Sequence, residues 1–161
     1  MDLFNQENNG AIFSYCKKYR YVLWRIWDKS KPYVMFIGLN PSTANETSDD
    51  PTIRRVKKFA FDWGYGGIYM MNLFAFVTPY PEKLEVCEDP IGENDKWLNI
   101  IAVKCDKIIF AWGSFKEAQK RAKQIMERFS GYALIINNDG SPRHPLYVNA
   151  NTEPVPIKPI N

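Results

Sequence analysis

The chain has 161 residues, 45% apolar and 15% aromatic, with 21 basic against 18 acidic side chains. A chain of this size buries a core without staples, and this apolar content excludes a disordered protein. The net charge of +3 permits contact with an anion but argues against a sequence-tolerant nucleic-acid coat, which is usually more basic.

Residues 1–12 are polar and read as loosely held. Residues 19–27, "YRYVLWRIW", alternate charge with bulk and are rich in β-formers, which predicts an edge strand paired with the next one. "DKSKP" is a turn, and residues 33–39 form a continuous apolar run suited to a central strand covered on both faces. Asp50 is placed to cap a helix, with Pro51 at its first position. Ile53, Val56, Phe59, Ala60 and Trp63 follow at helical spacing, and Gly64, Gly66 and Gly67 end the helix.

Residues 68–73, "IYMMNL", predict a second buried strand, followed by the long loop "VTPYPEKLEVCEDPIGEND". Residues 94–106 predict a second helix with Trp97, Leu98, Ile101 and Cys105 on one face. "KIIFAW", 107–112, is a third core strand. Ser114 is expected to cap a third helix running to about residue 129, with Phe115, Ala118, Ala122, Ile125 and Phe129 inward. Residues 133–136 give a fourth core strand, then "NNDGSPRHPLYV" and a Pro-rich tail, loosely ordered over 150–161.

This alternation predicts one α/β domain spanning residues 1–161. Its architecture is a three-layer sandwich around a largely parallel four-stranded sheet, with N-terminal edge strands added. Three scattered cysteines, Cys16, Cys87 and Cys105, without a C-x-x-C pair, imply no disulfide framework and no metal or cluster site. No apolar run is long enough to cross a bilayer, and "MDLFNQENNG" lacks the layout of a signal peptide. The expectation is a cytoplasmic protein without membrane contact, metal or cofactor.

Ligands of such sheets bind beyond the carboxyl ends of the strands. Four strand ends carry polar groups there. The first offers Asn40, Ser42 and Thr43; the second Asn72 and Phe74; the third Trp112, Gly113 and Ser114; the fourth Asn137, Asp139, Arg143 and His144. Each also has a plain reading. Asn40 before a proline starts turns, and Ser114 caps a helix. Asn72 in an apolar run must bond something, because burying a bare amide costs free energy. Asp49 precedes the first helix, where a carboxylate is favoured, but it could also serve the site, as could Glu46 and Asp50. Arg54, Arg55, Lys57 and Lys58 read either as a solvated helix face or as a phosphate contact. Phosphate-binding P-loops, G-x-G-x-x-G turns after a strand and G-x-S-x-G elbows are absent from the sequence.

The blocks "LNPSTA", "DPTIRR", "WGYGG", "NLFA", "DPIGENDKWL", "AWG" and "PRHPLY", in this order between residues 19 and 148, resemble the uncharacterised domain family numbered 1643. A second, more distant resemblance is to the uracil-DNA glycosylase superfamily. It rests on "GLNPS" (38–42) beside the superfamily's "GINPG", "YMMN" ending at Asn72, "FAWGSFKEAQ" (110–119) beside "LLWG" followed by "AQ", and "HPLY" (144–147) beside "HPSP". That resemblance implies a shared fold and a nucleic-acid or nucleotide partner. It implies that Gly38, Leu39, Asn72 and Phe74 hold a base, with Phe74 stacking on it. It implies that Ser42, Thr43, Ser114 and Arg143 meet phosphate. Asn40 would position a water, and His144 would donate to the departing base during hydrolysis of an N-glycosidic bond. Two departures stand out. Asn40 occupies the place where the most active members carry Asp, and an amide cannot act as a general base. Leu146 replaces the serine of the last motif. Binding of a nucleobase or nucleotide without reaction is therefore the alternative. A third reading is another nucleoside reaction with Asp49 or Glu46 as base.

Overall fold

A computed structural model describes residues 8–159 of the chain. Among them are seven strands: β1 (Asn9–Phe13), β2 (Arg20–Ile26), β3 (Tyr33–Gly38), β4 (Gly67–Asn72), β5 (Lys107–Phe110), β6 (Gly131–Ala133) and β7 (Val155–Ile157). Three α-helices accompany them: α1 (Pro51–Asp62), α2 (Asn94–Ala102) and α3 (Gln119–Arg128). The strands form one mixed sheet in the order β1-β2-β4-β3-β5-β6-β7.

β4, β3, β5 and β6 are mutually parallel. Both faces of this core are covered, which is why its strands read as unbroken apolar runs. Val34 and Phe36 of β3 pack with Ile53, Val56, Phe59 and Ala60 of α1. Met35 and Ile37, pointing the other way, pack with Leu98 and Ile101 of α2 and with Ala122 and Ile125 of α3. The α1 start follows its sequence signals: Asp50 accepts from the Ile53 backbone N–H at 2.9 Å, and Pro51 opens the helix. Its end turns at Gly64, whose φ of +88° suits glycine.

The sheet is wider than the four core strands plus N-terminal edge predicted from sequence. β2 is not an edge strand and does not pair with β3; it lies antiparallel between β1 and β4, with all seven residues buried. β1 occupies residues expected to be loose; residues 1–7 lie outside the described residues. In the Pro-rich tail, β7 pairs antiparallel with β6 and covers that edge. β6 begins and ends earlier than the predicted 133–136, because Gly131 lets the chain pass close under the Phe110 ring, 2.4 Å from where a Cβ would stand. Ser114 does not cap a helix: the chain makes a 3₁₀ turn at Lys116–Ala118 first, and the Ser114 hydroxyl bonds that of Ser141 at 2.6 Å. No helix among the described residues is long and apolar enough to cross a membrane.

Candidate functional site

The connection from β3 runs to β4 on one side, and the chain then returns to β5 on the other. The strand order therefore reverses beside β3, where parallel sheets open a crevice. A cavity of about 220 Å³ occupies this crevice at the carboxyl ends of β3, β4 and β5, on the α1 side of the sheet. Gly38, Leu39, Asn40, Ser42, Asn72, Trp112 and His144 line it, together with Arg20, Asp50, Thr52 and Thr78.

Gly38 gives the cavity its depth. A Cβ there would lie 2.8 Å from Met70 Cε and 2.9 Å from Asn72 Oδ1, so the Asn72 amide rests directly over the glycine. Asn72 is 4% exposed. Its backbone carbonyl accepts from Asn94 Nδ2 at 2.7 Å, and the next carbonyl, of Leu73, accepts from Arg121 Nε at 2.9 Å. These bonds pin the end of β4. The Asn72 side-chain amide itself has no hydrogen-bond partner among the described residues. The enclosed side-chain atoms without a partner among the described residues are Arg20 Nε and Asn94 Oδ1; the Asn72 amide instead opens onto the cavity, where it is free to bond a group that enters.

Asn40 serves turn and cavity together. Its Nδ2 donates to the carbonyls of Thr78 at 2.8 Å and Pro41 at 3.0 Å, tying the end of β3 to the loop after β4. That fixes the amide orientation and leaves Oδ1 as an acceptor without a partner among the described residues. His144 reaches the opposite wall. Its Nδ1 accepts from the Leu146 N–H at 3.2 Å, which places the ring proton on Nε2. Burial lowers its pKa, with Asp50 pulling weakly the other way, so at neutral pH the ring is a neutral N–H donor.

Two charged groups complete the walls. Arg20, from β2, is 3% exposed; its Nη1 donates to the Ala44 carbonyl at 3.1 Å, while the enclosed Nε has no partner. Burial lowers its pKa to about 10 against the attraction of Asp50, which leaves it protonated at neutral pH. Asp50 uses one carboxylate oxygen as the α1 cap. The sequence reading passed over Arg20. Its one signal was a charge set inside a run of β-formers, which normally marks a solvent face.

The remaining predicted residues fall elsewhere. Asp49 does not line the cavity. Its oxygens bond Arg25 Nε at 2.8 Å and Lys57 Nζ at 2.9 Å. Burial would raise its pKa, but the bonds to Lys57 and Arg25 outweigh this and hold it below the ordinary carboxylate value. Phe74 is buried in the core on the α2 side of the sheet. Thr43 is exposed and lies off the cavity wall. Ser114 lines a neighbouring cavity of about 380 Å³, more apolar, that shares only Trp112 with the first. Arg143 Nε donates to Asn137 Oδ1 at 2.7 Å, and Asn137 Nδ2 in turn bonds the Ser114 and Ser141 hydroxyls. The basic run on α1 is held internally: Arg54 by the Asp49 carbonyl, Arg55 by the carbonyls of Pro145 and Val148, Lys57 by Asp49 and Lys58 by Asp62. No cluster of metal-ligating side chains occurs among the described residues.

Residues 20–146 match the model of one protein family, described as a protein of unknown function, DUF1643. No curated protein and no solved structure matches the chain.

Proposed function

The chain belongs to the DUF1643 family, and from the site that its fold presents we propose that it recognises a nucleobase, free or within a nucleotide or nucleic acid. The observation that carries this reading is the Asn72 amide, which lines the cavity and has no hydrogen-bond partner among the described residues. An amide pairs one donor with one acceptor and can read a base edge by two hydrogen bonds. The cavity volume of about 220 Å³ is below the roughly 300–1,000 Å³ of drug-sized pockets. It suits one heterocycle better than a whole nucleotide. Trp112, rather than Phe74, is the aromatic residue on its wall.

The distant likeness to uracil-DNA glycosylases extends this to a reaction: hydrolysis of the N-glycosidic bond of an unusual or modified base. Water held at Asn40 Oδ1 would add to the sugar carbon as the carbon–nitrogen bond breaks, its proton passing to solvent. The base would leave with the electron pair, and its charge would be met by the neutral His144 Nε2–H. Binding without reaction is favoured by Asn40 itself, whose amide cannot take the proton that the water must lose.

Titration of the full chain with nucleobases and nucleosides tests the binding reading. Saturable binding that Asn72→Ala abolishes supports it, and no binding of any base overturns it. Incubation with oligonucleotides carrying uracil, mismatches or hypermodified bases tests the reaction, read as abasic sites. Binding without abasic sites leaves only the non-catalytic reading.

A further inference from the structure

The second cavity, of about 380 Å³, lies between α3 and the hairpin at residues 137–142 and adjoins the first in two ways. Trp112 lines both, its ring held 4.8 Å from that of Phe110. The next residue, Gly113, lines the second cavity, and His144 lines the first. A Cβ on Gly113 would meet His144 Cβ at 3.7 Å and, beyond its chain neighbours, no other heavy atom within 4 Å. The space beside Gly113 is therefore open where the two cavities adjoin. The walls differ in chemistry. Phe115, Ala118, Ala122, Met126 and Pro142 join Trp112 in an apolar surface. The hydroxyls on the hairpin side are spent. Ser141 Oγ donates to Asp139 Oδ1 at 2.5 Å, so Ser114 Oγ is the donor to Ser141 Oγ at 2.6 Å, and Asn137 Nδ2 bonds both oxygens. No hydroxyl proton remains there for a phosphate or a sugar. The other polar side chains on this wall, Gln119 and Lys123, are exposed.

We propose that the second cavity receives an apolar arm carried by the base in the first, so that the ligand is a nucleobase with an aryl or prenyl group on an exocyclic position. This rests on the nucleobase reading above and narrows it to bases that bear such an arm. The first cavity, at about 220 Å³, is filled by one heterocycle, so an appendage must leave it. On the side of Trp112 and Gly113 it leaves onto an apolar surface. Covering that surface with a benzyl or prenyl group is favourable in proportion to the apolar area removed from water. The Trp112 indole adds an offset or edge-on contact with an aryl ring. A polar arm would lose its water there without gaining a hydroxyl partner, because the hairpin hydroxyls bond each other.

Calorimetric titration of the full chain with adenine and N6-benzyladenine, and with uracil and 5-benzyluracil, tests this. At least one benzyl base should bind about tenfold or more tightly than its parent. Ala122→Phe puts a ring into the second cavity and should bring that ratio to about one. If Ala122→Phe does not fold, Phe115→Ala, at a half-buried position, removes a wall instead and should cut the ratio at least threefold. Asn72→Ala should abolish binding of parent and benzyl base alike. Parent bases that bind while neither benzyl base binds more tightly, or a gain that persists in the cavity variant, overturns the arm site and leaves the nucleobase reading standing. A benzyl base that binds Asn72→Ala as well as the wild type occupies the second cavity alone and also overturns the proposal. Absence of binding by all four compounds and by the other nucleobases and nucleosides overturns both readings.

Discussion

Arg25 Nε lies 2.8 Å from Asp49 Oδ1, and the arginine side chain is only 3% exposed. The same guanidinium donates to the carbonyls of Trp24 at 2.9 Å, Asn45 at 2.5 Å and Ser48 at 3.3 Å. It therefore staples the loop between β3 and α1 onto β2. Removing one partner of a buried pair leaves the other uncompensated. Arg25→Ala is expected to cost about 3 kcal/mol in urea unfolding, the low end of that range because Asp49 keeps Lys57. Asp49→Asn should cost less and leave nucleoside binding intact. An Asp49 variant that folds normally and loses activity would restore the carboxylate as a catalytic base. The linkage has a definite sign. The folded-state pKa of Asp49 is depressed, so its contribution to stability is present above its ordinary value of 3.8 and is lost as pH falls through the folded value.

Asn72→Ala separates ligand recognition from folding. The side-chain amide makes no hydrogen bond among the described residues, so its removal breaks none. A stability change within about 1 kcal/mol is expected, since no paired group is orphaned. Base binding should fall beyond detection. Thermal unfolding with and without ligand reads both effects.

Gly38→Ala tests the depth of the cavity. The new Cβ would press on Met70 Cε, which can swing aside, and on Asn72 Oδ1, which would move into the space for the ligand. Overpacking of this kind costs about 1–3 kcal/mol. Affinity should fall with Asn72 still present, and the melting temperature should drop in step with the strain.

His144 gives a pH dependence near neutrality. Burial depresses its folded-state pKa below the ordinary 6.5, so the unfolded chain binds the proton more readily. Stability from this group is full above 6.5 and is lost as pH falls toward the folded value. Melting temperatures measured from pH 8 to pH 5 should decline for the wild type and decline less for His144→Gln.

The cysteines should separate by reactivity. Cys105 is half-buried, and burial pushes its thiol up to about 12. Cys16 is exposed, and the Lys18 backbone N–H together with the Ser14 hydroxyl lowers its thiol. A thiol-specific reagent at pH 8 should label Cys16 first and leave Cys105 until the chain unfolds. Mass spectrometry of partially labelled protein reads the order.

The parallel core was legible because strands buried on both faces leave unbroken apolar runs, as in Val34–Ile37, and because Asp50 and Pro51 mark a helix start by local chemistry. β2 misled for a physical reason. Its arginines looked like a solvent face, yet Arg20 and Arg25 point into the protein, where loop carbonyls and Asp49 receive them. Those acceptors come from residues 44–49, and nothing in strand periodicity announces them. β1 and β7 escaped because short strands rich in Asn, Gly and Pro gain their order only by pairing with a neighbour. At the site, the strand-end rule led to Asn40, Asn72 and His144. It did not lead to Arg20, which enters from an antiparallel strand outside the parallel core.

The two outermost strands of the sheet, β1 and β7, come from opposite ends of the described chain. Six gaps of about 4.8 Å separate them, roughly 29 Å across. A pair of fluorophores on these strands therefore forms a ruler for the width of the whole sheet. Loss of either border strand, or of the core between them, would change the energy transfer between the dyes.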